Sequence, residues 1–193
     1  MDVRLMLGLV GGLCCLLTVV AVGWALVAYN RLVRQRNQVQ ASWAQIDVQL
    51  KRRHDLIPNL VETVKGYAGH ERGTLEAVMA ARSGAIAAAG APGVAGREAA
   101  ENVLTQALGR LFVLAEVYPE LKANQNFAAL QGELTRTEDK IAYARQFYNS
   151  AVQTFNTSVQ TIPTNLIAGL GGFRATDFFQ ALDGERATVR VRY

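Results

Sequence analysis

Between Arg4 and Arg31 the chain carries no charged residue, and Leu5 to Ala28 is a predominantly apolar run of 24 residues. As a helix it covers about 36 Å, against about 30 Å of hydrocarbon, so it can cross a bilayer with some tilt. Trp24 and Tyr29 lie near one end, where amphipathic rings favour the interface. Gly8, Gly11 and Gly12 are tolerated in lipid and offer a face on which a second span can approach closely. A cleavable signal peptide has a shorter apolar core of about 7–15 residues and a small-x-small exit. A lipoprotein needs a small residue before its cysteine, and here Leu13 precedes Cys14. The expectation is an uncleaved anchor over residues 1–28.

Charge sets the expected orientation. Arg31, Arg34, Arg36, Lys51, Arg52 and Arg53 follow the span, and Asp47 is the one acid among residues 31–53. That segment sums to +5 while the whole chain is +4, so the rest sums to −1. Basic residues concentrate on the cytoplasmic side of a span, which predicts an external amino terminus and a cytoplasmic carboxyl domain. The six cations are candidates for lipid-headgroup or partner contact. No basic surface continues along the chain, so nucleic acid is not an expected partner. Cys14 and Cys15 are adjacent and the only cysteines, which excludes a disulfide framework and a cysteine zinc site.

Residues 29–182 read as an all-α, long-helix antiparallel bundle of three to four helices, continuous with the span. The first helix shows a heptad-like spacing of Leu32, Val39, Trp43, Ile46, Leu50, Ile57, Leu60 and Val64, provided Arg53 fills one slot. Pro58 predicts a kink or short break near His54–Ile57, with Asp55 capping a restarted segment that runs to about Arg82. Residues 84–96 are small and glycine-rich, which predicts a loop. A helix over 97–118 carries Leu104, Leu108, Leu111 and Ala115, and Pro119 ends it. Asn124 is placed to cap the next helix, whose stripe is the clearest in the chain: Phe127, Leu130, Leu134, Thr137, Ile141, Ala144, Tyr148, Ala151, Phe155, Val159, Ile162. Pro163 stops it.

The apolar, glycine-rich Leu166–Phe173 leads to an expected short carboxyl-terminal helix, capped by Thr176 and containing Phe178, Phe179 and Leu182. Residues 166–179 either fold over the bundle end or touch the bilayer interface. Residues 183–193 form a tail, in which Thr188–Tyr193 alternates like an edge strand.

The chemistry-bearing motifs are absent from the sequence. There is no phosphate-binding glycine loop and no Gly-x-Ser-x-Gly elbow. Neither His54 nor His70 has Glu three positions earlier, as bundle di-iron sites require. His54 reads as a capping or headgroup-side residue, and Arg52 and Arg53 as a solvated or lipid-facing surface. Asn156-Thr157-Ser158 matches a glycosylation acceptor but lies within a helix on the cytoplasmic side. No catalytic, cofactor or metal residue is expected.

Particular blocks carry a family resemblance. They are Tyr29-Asn-Arg-Leu-Val-Arg34, the run Trp43–Lys65 with its Lys51-Arg-Arg-His-Asp-Leu-Ile-Pro58, Leu121–Phe127, Leu130–Leu134, Ala144–Asn149 and Pro163–Ala168. Over roughly residues 1–180 the chain resembles the LemA family of bacterial membrane proteins. The resemblance implies one amino-terminal span in the inner membrane, a short external terminus and a cytoplasmic helical bundle; it implies no activity. The expected function is a membrane-anchored, non-enzymatic scaffold or adaptor, self-assembling or joined to another membrane protein. The alternative is a membrane-organising or lipid-sensing protein acting through the basic helix and Leu166–Phe179.

Overall fold

The computed structural model describes residues 3–90 and 93–179, with side chains from Gly11 onward. The described residues form six helices and no strand: α1 (Val3–Ala68), α2 (Arg72–Ala89), α3 (Val94–Glu116), α4 (Pro119–Lys122), α5 (Gln125–Gln160) and α6 (Thr164–Leu170). The fold is all-α, with a long apolar amino-terminal helix that continues into a bundle helix. Two compact units are present. One comprises the chain up to Ala41 with Ser150–Thr176; the other comprises Ser42–Asn149 with the chain from Asp177.

In the second unit, contacts fix the helix directions. Trp43 stacks near Tyr148, Arg53 pairs with Glu138, and Tyr67 accepts from Asn124. Rising numbers on α1 therefore meet falling numbers on α5, so the two run antiparallel. Asp47 meets Arg97 and Arg53 meets Thr105, which makes α1 and α3 parallel. The core contains Ile57, Leu60 and Val64 of α1, Leu75 and Val78 of α2, Leu104, Leu108 and Leu111 of α3, and Phe127 and Leu134 of α5. Leu50 and Ile141 are also buried, and Trp43 is half-buried. Each fully buried Leu, Ile or Phe side chain contributes roughly 1.5–3 kcal/mol over remaining exposed. At the start of α5 the Asn124 side chain accepts from the Phe127 amide at 3.0 Å, the geometry of an N-cap.

In the first unit, α5 supplies buried Val152 and Phe155, and α1 supplies buried Ala28 and Leu32. The chain after α6 turns through a Schellman motif. Phe173 N–H donates to Ala168 O, Gly172 N–H to Gly169 O, and Gly172 takes φ +69°. A Cβ on Gly171 would fall 2.6 Å from the Phe173 ring, so both glycines are demanded by the turn.

Four expectations need correction. The first helix ends at Ala68, not Arg82, because Gly66, Gly69 and Gly73 weaken the helix there and a turn at residues 69–71 intervenes. Residues 84–89 are helical, since four alanines at 85 and 87–89 outweigh Gly84 and Ala85 is buried. No break occurs at His54–Ile57: α1 passes through Pro58, and Asp55 is an exposed mid-helix residue rather than a cap. Residues 173–179 are not helical. Their backbone is bound by α5 side chains instead. In the first unit Asn156 Nδ2 donates to Thr176 O and its Oδ1 accepts from Thr176 N–H. In the second, Asn149 does the same for Phe179. Two amide bonds to an extended backbone outcompete the local propensity of a few residues. A short helix, α6, lies earlier in the chain, over residues for which no helix was expected. Leu182, residues 183–193 with their expected strand, and the side chains of Leu5 and Gly8 lie outside the described residues.

Ile141 is fully buried and Tyr143 is exposed on the same helix. Ile141→Asp in the full-length protein in detergent should lower the thermal midpoint followed by circular dichroism by roughly 10 °C, through an unpaired buried charge. Tyr143→Asp should shift it by no more than about 2 °C. Equal shifts would contradict the assigned core face.

Candidate functional site

Proline at position 58 has no N–H, so the carbonyl four residues earlier, that of His54, loses its helical partner. Left buried and unpaired, that oxygen would cost about 1–3 kcal/mol. Arg82 of α2 fills the vacancy: its Nε donates to His54 O at 2.7 Å. The proline thus creates an acceptor on α1 that a guanidinium from α2 occupies, and the helix remains unbroken.

The side chains just before this point form a charged layer inside the second unit. Arg53 is only 2% exposed and Glu101 of α3 is fully buried. His54 Nε2 donates to Glu101 Oε1 at 2.9 Å. Arg53 Nη2 donates to Thr105 Oγ1 at 2.6 Å, and the Thr105 hydroxyl in turn donates to Glu101 O. Arg53 Nη1 lies 3.1 Å from Glu138 Oε2 and 3.8 Å from Glu101 Oε2. One guanidinium therefore faces carboxylates on two helices. A charge this deeply buried is sustained only by such pairing.

Two further arginines flank the layer. Arg97 places Nη2 2.5 Å from Asp47 Oδ1 and stacks over Trp43, with 5.2 Å to the ring centroid. Arg145 stacks over Phe179 at 4.4 Å. Burial pushes the Arg145 guanidinium below its usual pKa; Glu138 opposes that shift, and the positive charge of Arg53 adds to it. Burial, and secondarily Asp177, raises the Tyr148 phenol, whose hydroxyl donates to Asp177 O.

The remaining sequence-predicted positions are dispersed. Lys51 is exposed, and Arg52 pairs with Glu133 at 2.7 Å rather than standing free. The hydrogen bond from Arg136 is the main reason the Glu133 carboxyl titrates low, with Arg52 assisting. The stability Glu133 contributes is present above its unfolded pKa and is lost as pH falls through the lowered folded value. Being solvent-exposed, the pair contributes little. Arg31 and Arg34 are exposed, while Arg36 stacks on Phe173 at 5.2 Å. Trp24 is exposed, Ala28 is buried, and a Cβ on Gly11 or Gly12 would meet open space. Arg53 and His54 are thus corrected from surface or headgroup roles to buried ones, because α3 brings Glu101 to them. Asn156 is also buried, with its amide committed to Thr176, which removes it as a glycosylation acceptor in this fold.

Sequence reasoning missed Glu101, Arg97 and Arg82. The signal for the first two was present: stepping back from Leu108 and Leu104 by alternating threes and fours reaches Glu101 and Arg97, so both occupy core positions. For Arg82 the signal was half present, since Pro58 announces an orphan carbonyl without saying what answers it.

The layer is buried: His54 hydrogen-bonds Glu101 Oε1, while Glu101 Oε2 has only the 3.8 Å ion-pair contact with Arg53 Nη1 and no hydrogen bond. No group of three or more metal-ligating side chains occurs among the described residues. Among the described residues one helix is long and apolar enough to cross a membrane, so the class is a helical-bundle protein with a candidate membrane span. The LemA family model matches residues 42–193, and the chain belongs to that family. Magnetosome protein MamQ 2 of Paramagnetospirillum magneticum is 30% identical over 188 residues, covering 85% of this chain and 69% of that protein. MamQ of Magnetospirillum gryphiswaldense is 27% identical over 80% of this chain and 65% of its own length. Protein LemA of Metamycoplasma hominis is 27% identical over 83% and 72%. These bacterial relatives and the apolar segment point to a bacterial membrane protein.

Removing one member of a buried ion pair costs about 3–5 kcal/mol because the partner is stranded. Arg53→Met and Glu101→Leu should therefore each destabilise the protein by about that amount in denaturant titration, whereas Lys51→Met should cost under about 0.5 kcal/mol. Near-neutral effects at both buried positions would contradict the pairing.

Proposed function

We propose that this chain is a membrane-anchored, non-enzymatic scaffold that self-associates in the plane of the bacterial inner membrane, with its bundle in the cytoplasm. The observation that carries the reading is an open apolar groove of about 560 Å³ in the second unit, lined by Ala44, Val48, Tyr143 and Ala144 among others. Val48 and Tyr143 are 63% and 72% exposed. Apolar side chains left in water at such a groove favour burial against another surface. A second copy is the occupant at hand, because copies held in one bilayer by the same segment share orientation and a raised effective concentration. The non-enzymatic reading rests on the burial of the charge layer, and the names of the relatives specify no reaction. The cytoplasmic placement rests on the arginines that follow the span.

The deciding experiment combines cross-linking in native membranes with mass measurement after mild detergent extraction. The wild type should give discrete self-cross-links and a multimeric mass. Val48→Glu with Tyr143→Arg should reduce both without changing the helical circular dichroism signal. A monomer at every concentration, with no self-cross-links, refutes the scaffold. For orientation, Ser83→Cys in a background lacking Cys14 and Cys15 should stay unlabelled by an impermeant thiol reagent in intact cells; labelling there reverses the topology.

A further inference from the structure

The first unit contains an apolar surface that the bundle does not use. Ile162, Leu166 and Leu170 are 79%, 65% and 88% exposed, at spacings of four that place Leu166 and Leu170 on one side of α6. The position of this surface is set by Phe173, directly after the α6 turn. Its ring meets Tyr29 edge-on at 5.5 Å, Phe155 at 6.4 Å and the Arg36 guanidinium at 5.2 Å. Tyr29 is the residue next to the end of the apolar run. The chain following α6 is therefore held beside Tyr29, at the carboxyl end of the apolar run.

Charge at this level is one-sided. Residues 29–41 and 150–176 carry Arg31, Arg34, Arg36 and Arg174 and not one carboxylate. Arg31, Arg34 and Arg174 are exposed. Apolar side chains flanked by exposed cations match the boundary of an anionic leaflet, where leucines bury among acyl chains and guanidiniums meet phosphates. The turn is built to hold this shape, since Gly171 and Gly172 cannot carry a Cβ without a clash or a strained φ.

We propose that α6 is a second membrane contact, bedding Ile162, Leu166 and Leu170 in the interface of the same bilayer that α1 crosses. The occupant of this surface is lipid, and the chain is held by a span plus an interfacial helix. The proposal rests on the reading of Leu5–Ala28 as a span but not on self-association.

The test uses the full-length protein without its native cysteines, reconstituted in vesicles of phosphatidylcholine and phosphatidylglycerol with brominated acyl chains. An environment-sensitive dye is placed singly at Leu170→Cys, at Val20→Cys within the apolar run, and at Gln153→Cys, exposed on α5. Brominated lipid should reduce emission at 170 and at 20 by about twofold or more relative to unbrominated vesicles, and leave 153 nearly unchanged. Quenching at 20 but not at 170 overturns the α6 contact and leaves the span standing. Quenching at neither overturns both. Dye-to-dye transfer at 170 without lipid quenching assigns the surface to a second copy and equally overturns the proposal.

Discussion

The His54 carbonyl is the point from which the bundle can be understood. With an ordinary residue at 58, that residue's amide would supply the carbonyl's helical hydrogen bond. Proline at 58 releases it, and Arg82 takes it from α2 at 2.7 Å. A residue that ordinarily costs a helix interior about 3 kcal/mol is here the means of joining two helices. The side chain of the same His54 reaches Glu101 on α3, and its neighbour Arg53 reaches Thr105 on α3 and Glu138 on α5. Through the adjacent residues Arg53 and His54, α1 binds α2, α3 and α5 by directed polar contacts. Hydrophobic packing alone is tolerant of sliding by a turn; these contacts are not, because a shifted register would strand Arg53 or Glu101 without a partner. We assign the layer a register-setting role on that ground.

The first unit uses different means. Its helical segments pack through few buried side chains, and the residues after α6 are held by Phe173 against Tyr29 and Phe155 and by Asn156 against Thr176. Asparagine suits this role because one amide carries both a donor and an acceptor, so it can imitate a neighbouring backbone. The two units differ in what they leave exposed. The second pairs its most deeply buried charges internally, whereas the first leaves Ile162, Leu166, Leu170, Arg31 and Arg34 exposed.

Much of this was legible in the residues. The long apolar amino-terminal helix follows from composition, the all-α class and the α5 stripe from periodicity, and the Asn124 cap from residue type and position. The stripe positions from Phe127 to Phe155 are buried or half-buried in the structure. The misreadings share one cause: a local rule was applied where a tertiary partner decides. Pro58 reads as a break until Arg82 is known, and Arg53 reads as surface until Glu101 and Glu138 are known. Thr176–Phe179 reads as a helix until Asn149 and Asn156 are seen holding its backbone. The end of α1 at Ala68 is a different case: Gly66, Gly69 and Gly73 weaken the helix although apolar spacing continues past them.

The central claim is that Pro58 and Arg82 act as a pair through the His54 carbonyl. A double-mutant cycle on the full-length protein in detergent, read by denaturant titration, tests it directly. In the native background, Arg82→Met strands the carbonyl and should cost about 1–3 kcal/mol. In a Pro58→Ala background the residue-58 amide can bond the carbonyl itself, so the same substitution should cost markedly less, with a coupling of about 1 kcal/mol or more. Strict additivity of the two substitutions would contradict the account.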